Sequence, residues 1–267
     1  MLAAHLALSI LFAAGTPASR PIPNIGVFLD QCPDRDTAYL QIRSDFEIRR
    51  GRLPIGPLVC TEPVSTMPVS QYTDELITVQ ALRVMYYMDR GQSGHLPWTA
   101  GTLYDWMKSK IGGIDVEPNS SSFCCSAYGG KTFITVGTRD DFTREIDKSF
   151  RGIADSIALL AHEARHVDGF PHSSCCGIPF GCDNTFDPAN LAPYGIQWWL
   201  TKMWLDGTVN VGFACVTPAN DLVSGRWFAL GLNEQYRTRF CRDNPPLVSN
   251  PPVPFGACFE RHRTVRK

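Results

Sequence analysis

The 267-residue sequence lacks a charge imbalance: 25 Lys+Arg stand against 26 Asp+Glu, for a formal net charge of -1. A protein whose main partner is nucleic acid or an anionic lipid surface needs a basic face, and nothing in the total composition points to one. Long apolar runs are also missing. No stretch reaches the roughly 20 residues that a membrane span requires, so none is expected in the mature chain. Gly (22) and Pro (20) fall short of a low-complexity composition, there is no internal repeat, and no linker divides the chain. CxxC pairs of zinc-finger spacing are absent, although there are ten cysteines.

That even cysteine count is high for a reducing cytosol and points to disulfides in an exported protein. The N-terminus agrees. Met1 to Ala14 carries no charge, Leu6 to Ala14 is an apolar run of the right length for a signal peptide, and Thr16 and Ala18 are small enough for a cleavage site. Residues 1–18 are therefore read as a signal peptide, and 19–267 as one domain with an extended Pro-rich C-terminal tail. The expected location is secreted or extracytoplasmic, in a periplasm or outside the cell. Cys175, Cys176 and Cys182 are expected to fasten the loop after His172, and Cys32 and Cys60 to lie in disulfides. The neighbours Cys124 and Cys125 are expected to bond different partners, because adjacent cysteines bridge one another poorly.

Periodicity predicts helices over Gln71–Met88, with Thr73 as cap, over Thr102–Ile111, over Asp155–Asp168, starting near Asp155 or Ser156, and over Tyr194–Leu205. Lys131–Val136 alternates in the manner of a strand. Ala38–Arg43 also suits a strand or an irregular lead-in, and Phe46–Gly56, with Arg49, Arg50 and Arg52, reads as an exposed loop or a processing site. The fold class expected is α+β: a mixed sheet with one active-site helix, loop-rich and disulfide-stabilised.

The segment that carries chemistry runs from His162 to His172, HEARHVDGFPH. Helical residues four apart share a face, so His162 and His166 can aim imidazole nitrogens at one ion. Gly169 can take the positive φ that turns the chain and returns His172 as a third ligand. Three nitrogens leave one position open for water, the arrangement of a catalytic zinc rather than a structural one. Glu163, beside the ligands, is placed to take that water's proton. Arg165 and Asp168 are candidates for orienting a ligand imidazole or for an ordinary ion pair.

These residues match HExxHxxGxxH and resemble the signature of the metzincins, secreted zinc endopeptidases that include the astacins, serralysins, adamalysins and matrixins. The resemblance implies a zincin-like fold, Zn2+ held by His162, His166 and His172, Glu163 as general base, and a peptide or protein substrate. It also implies a sheet strand that pairs with the extended substrate, for which Lys131–Val136 is the candidate. The methionine turn of those families is not recognisable: the only methionine after His172 is Met203, in a segment that reads as helix. A second similarity, to the aspzincins, makes Asp183 and Asp187 substitute third ligands. Tyr194, in the following Tyr-Gly, becomes a candidate donor to an oxyanion. The same ligand set also fits a zinc hydrolase of non-peptide amides or esters, or a disulfide-rich binding protein with a non-catalytic zinc.

Overall fold

The computed structural model describes residues 25–58, 60–68, 73–88, 96–117, 120–137, 150–177, 181–206 and 230–248. The expected signal peptide, nearly all of the Pro-rich tail, and Cys215 and Cys258 lie outside them. The architecture is α+β. Helices α1 (Ile25–Asp30), α2 (Thr37–Asp45), α3 (Asp74–Met88), α4 (Leu103–Lys110), α5 (Phe150–His166) and α6 (Pro193–Asp206) accompany a five-stranded mixed sheet. Its strands are β1 (Glu47–Arg50), β2 (Leu53–Pro54), β3 (Gly113–Glu117), β4 (Phe123–Tyr128) and β5 (Lys131–Gly137), in the order β2-β1-β3-β5-β4. A separate two-stranded ladder pairs β6 (Asp183–Thr185) with β7 (Phe240–Arg242).

Strands β1, β3 and β5 run parallel, and their register aligns Ile48, Ile114 and Ile134 across the sheet. Side chains alternate between faces, so these three residues share one face and join the main apolar core. Helices α3 and α5 supply the rest of that core, with Leu82, Val84 and Met85 from α3 and Ile157, Leu160 and Ala164 from α5 all fully buried. Helix α5 carries alanines at 154, 158, 161 and 164, small enough for neighbouring elements to pack closely around it. On the opposite face the Arg49 guanidinium lies over the rings of Tyr128 and Phe133 and pairs with Glu47.

Caps fix two of the helices where the sequence predicts them. Thr102 Oγ1 accepts from Asp105 N at 3.0 Å at the start of α4, and Thr73 Oγ1 accepts from Leu76 N at 3.3 Å at the start of α3. Three expectations are overturned. Ala38–Arg43 lies inside helix α2, where Ala38, Tyr39 and Ile42 face inward and Leu40 is exposed. The apparent alternation of Ala38, Leu40 and Ile42 hid this helical spacing. The segment 46–56 is a strand pair rather than an exposed loop, with Arg49 buried and the Asp115 carboxylate accepting from Arg52 N. Helix α5 begins at Phe150, so Asp155 and Ser156 are interior to it and cap nothing.

The cysteines pair as Cys32–Cys60, Cys124–Cys125, Cys175–Cys241 and Cys176–Cys182. The last two clamp the loop after His172, as expected. Cys124 and Cys125 pair with each other, against expectation. Among the described residues no helix is long and apolar enough to cross a membrane.

A buried cation holds α1 and α2 to α3. Arg83, 1% exposed, donates from Nε to Asp36 at 2.7 Å and from Nη1 to Phe28 O, Gln31 O and Gln80 Oε1. Asp36 also caps α2 through Ala38 N and accepts from the Tyr87 hydroxyl at 2.5 Å. Burial pushes the Asp36 carboxyl up, but the hydrogen bonds from Tyr87, Arg83 and Ala38 and the Arg83 charge outweigh it and hold the group below its ordinary value. A depressed carboxyl stabilises the fold fully above its unfolded pKa of about 3.9 and loses that contribution as pH falls toward the folded value. Asp36→Asn is therefore expected to destabilise the protein by about 3 kcal/mol at neutral pH, by leaving a buried cation without its counter-charge. Urea unfolding at pH 7 and pH 3 checks this: the gap between wild type and variant should narrow at the lower pH.

Candidate metal centre

Helix α5 delivers His162 and His166 one turn apart on one face, with ring centroids 5.1 Å from each other. The chain then turns at Gly169, whose φ of +82° suits glycine. The turn brings back His172, whose ring lies 5.0 Å from that of His162 and 4.5 Å from that of His166. A second glycine makes room behind it: a Cβ on Gly181, where φ is +75°, would stand 2.5 Å from the His172 Cβ. One nitrogen of each histidine, all within 4.8 Å of one another, can serve a single metal ion.

Two of the imidazoles are hydrogen-bonded on their far side, and the third faces a carboxylate there. His162 Nδ1 lies 2.8 Å from Gln197 Oε1, His166 Nδ1 lies 2.6 Å from the Phe170 carbonyl, and His172 Nδ1 faces Asp183 Oδ1 at 3.6 Å. These three partners are oxygen acceptors, so the Nδ1 atoms carry the protons and the Nε2 lone pairs point inward. His162 Nε2 and His172 Nε2 then face each other at 3.0 Å, close enough for one cation to be shared between their lone pairs. The donor set thus fits a cation that prefers nitrogen ligands.

Burial pushes the His162 pKa well below its ordinary value, and the neighbouring charges of His166, His172 and Arg239 add to this while the Gln197 hydrogen bond opposes it. Burial lowers His166 too, against the opposing hydrogen bond to Phe170. Both rings are therefore neutral at physiological pH, the state in which imidazole binds a metal.

Other predicted residues fall near the cluster with varied roles. Glu163 is 5% exposed on the same turn of α5 as His162. Tyr194, in the first turn of α6, stacks on His172 with centroids 4.9 Å apart and meets His162 edge-on at 4.7 Å. Asp183 is brought beside His172 but behind it: one oxygen faces the ring and the other accepts from Gly195 N at 3.0 Å, so it orients a ligand rather than replacing one. Asp187 is no ligand either. It is exposed and closes a turn by accepting from Ala189 N. Arg165 and Asp168 pair with each other at 2.7 Å, and Asp168 also holds Lys110. Arg165 donates further to Leu191 O and Asn190 Oδ1 and lies over the Phe170 ring, which steadies the carbonyl that holds His166. Neither touches an imidazole directly.

Gln197, the Phe170 carbonyl and Arg239 were not predicted from the sequence. Gln197 carries a weak signal, since it lies three residues beyond Tyr194 on the same helical face. The other two carry none. Asn233 and Tyr236, in the helical segment 230–237, buttress the wall: Asn233 donates to Trp198 O and Thr201 Oγ1, and the Tyr236 hydroxyl donates to Asp155 on α5 at 2.8 Å.

No protein-family model matches the chain, and neither a curated protein nor a solved structure matches it significantly. The site is therefore judged on its own geometry. The purified protein is expected to take up one transition-metal ion per chain, measurable by elemental analysis and calorimetric titration. Gln197→Leu, which removes the acceptor from His162 Nδ1, should weaken that affinity about 10- to 100-fold, and His162→Ala should abolish it.

Proposed function

We propose that the three-histidine cluster holds zinc and that the chain is an exported zinc-dependent hydrolase of zincin type, acting on peptide bonds with Glu163 as general base. The observation that carries this reading is the coincidence of three converging imidazoles with a buried carboxylate on the same helical turn as His162. A structural zinc gains nothing from a carboxylate beside an open coordination position, whereas hydrolysis requires a base there. Zinc in this ligand set supplies Lewis-acid activation of a water. The residues of the chain do the rest. Glu163 accepts the proton of the attacking water and returns it to the departing amine, and Tyr194, packed on two of the ligands, offers its hydroxyl to the oxygen on which negative charge develops.

The mixed sheet supports a peptide substrate in a way the sequence did not foresee. Lys131–Val136, the segment first assigned to substrate pairing, lies in β5, which is bonded to β3 on one side and β4 on the other. It has no free edge to offer. The outer strand on that side is β4, antiparallel to β5, with Phe123 and Tyr128 exposed. An extended peptide would add to β4, whose outer edge pairs with no other strand among the described residues. The Met-turn of the resembling families has no counterpart here, since Met203 lies within α6. The first turns of α6, bearing Tyr194 and Gln197, occupy the space against the ligands instead. Export is supported by the paired cysteines.

The test is a broad peptide-cleavage screen on the zinc-loaded wild type and on Glu163→Gln. The variant is expected to bind zinc at the wild-type stoichiometry and to lose on the order of 10² to 10⁴ in rate. Full zinc occupancy without hydrolysis of any peptide would favour the non-catalytic reading.

A further inference from the structure

One cation near the metal centre is left without a counter-charge. Arg49 pairs with Glu47, Arg83 with Asp36, Arg165 with Asp168 and Arg237 with Glu234. Arg239 forms no such pair among the described residues, and its Nη1 is buried with no hydrogen-bond partner. Its position is nevertheless fixed. Arg239 N donates to Tyr236 O at 3.0 Å and its carbonyl accepts from Asp183 N at 2.9 Å, while the strand that follows is held by the β6–β7 ladder and by Cys175–Cys241.

This anchoring aims the side chain at the site. The guanidinium carbon lies 5.4 Å from the centre of the Tyr194 ring, and that ring touches both His162 and His172. A buried N–H without an acceptor is unfavourable, and the unmatched Nη1 of Arg239 beside the histidine cluster is a donor that a ligand can fill. The guanidinium fork matches a carboxylate in bidentate fashion, and the desolvated wall of the site strengthens such a pair.

We propose that Arg239 is a specificity-determining residue that binds a carboxylate of the peptide substrate and so makes the centre select acidic substrates. This rests on the peptidase reading and adds the substrate class to it. The carboxylate has two sources, the C-terminus of the peptide or an Asp or Glu side chain beside the scissile bond. A C-terminal carboxylate would make the protein a remover of terminal residues, and a side chain would make it an endopeptidase that cuts beside acids.

The experiment is a calorimetric titration of the zinc-loaded protein, and of the same protein stripped by a chelator, with three probes. These are an N-acetylated dipeptide with a free C-terminal carboxylate, its C-terminal amide, and an amide dipeptide carrying a Glu side chain. Wild type should bind at least one acidic probe about 10- to 100-fold more tightly than the neutral amide, and which one identifies the source. Arg239→Gln should erase that preference while the affinity for the neutral amide, the zinc stoichiometry and the melting temperature stay as in wild type. Arg239→Lys, which keeps the charge but not the fork, should retain part of it. Equal binding of all three probes by wild type, no measurable binding of any at millimolar concentration, or a preference that survives in Arg239→Gln would overturn the proposal. Failure of the zinc reading looks different: the wild type takes up no zinc, yet the acid preference and its loss in Arg239→Gln are still read in the stripped protein.

Discussion

Three imidazole nitrogens with their lone pairs turned inward repel one another, and the lower part of this fold is organised to hold them together. Two rings are gripped on their far nitrogen by an oxygen from a different segment, His162 by Gln197 of α6 and His166 by the Phe170 carbonyl just past α5, while the Asp183 carboxylate of β6 faces the far nitrogen of His172 at 3.6 Å. Those grips depend on further contacts. Asp183 is held through Gly195 N and through its own N–H to the Arg239 carbonyl, and Phe170 lies under the Arg165 guanidinium. Cys175–Cys241 ties the chain after His172 to β7, and Cys176–Cys182 closes the loop that precedes Asp183. Removing any one of these supports lets the repelling nitrogens drift apart, which is why the ligand geometry belongs to the whole lower layer and not to helix α5 alone.

Helix α5 itself is stabilised by the upper part of the molecule. Its alanines and Ile157 pack against α3 and the sheet, so the half of the helix that carries no ligand is buried in the core. That burial is what keeps the other half in place, since packing rather than intrinsic propensity stabilises most protein helices. It also places His162 and Glu163 at the edge of an apolar region, where burial keeps the His162 imidazole neutral.

How much of this was legible in the sequence follows the distance over which each signal acts. Helices α3, α4, α5 and α6 announce themselves through local periodicity and caps, and the histidine triplet is legible because its members lie within eleven residues of one another. The direction of His172 was also readable, since only a residue such as Gly169 turns the chain at that point. Helix α2 was misread because two periods, 2 and 3.6, coincide over six residues, and only burial distinguishes them. The place of β5 in the sheet was invisible, as strand order depends on β1, β3 and β4, which carry no pairing code. Asp183 was recognised as belonging to the site but assigned the wrong contact, because sequence proximity does not say whether a carboxylate faces the ion or the back of its ligand. Gln197 and Arg239 come from segments 35 and 77 positions beyond His162, joined to it only by tertiary packing.

The unlike treatment of the cations around the centre separates scaffold from function. Arg165 is saturated: one carboxylate, one backbone carbonyl and one amide oxygen accept from it, and a ring covers its face. Such a residue is committed to holding loops, with each of its three nitrogens already donating to the protein. Arg239 shares the neighbourhood and the same side chain, yet it keeps a buried donor unmatched. Folding alone does not favour that state, because a neutral residue of similar size would fill the space without stranding an N–H. Tyr194 links this cation to the histidines through its ring, so the metal ligands, a candidate oxyanion donor and an anion receptor form one continuous wall.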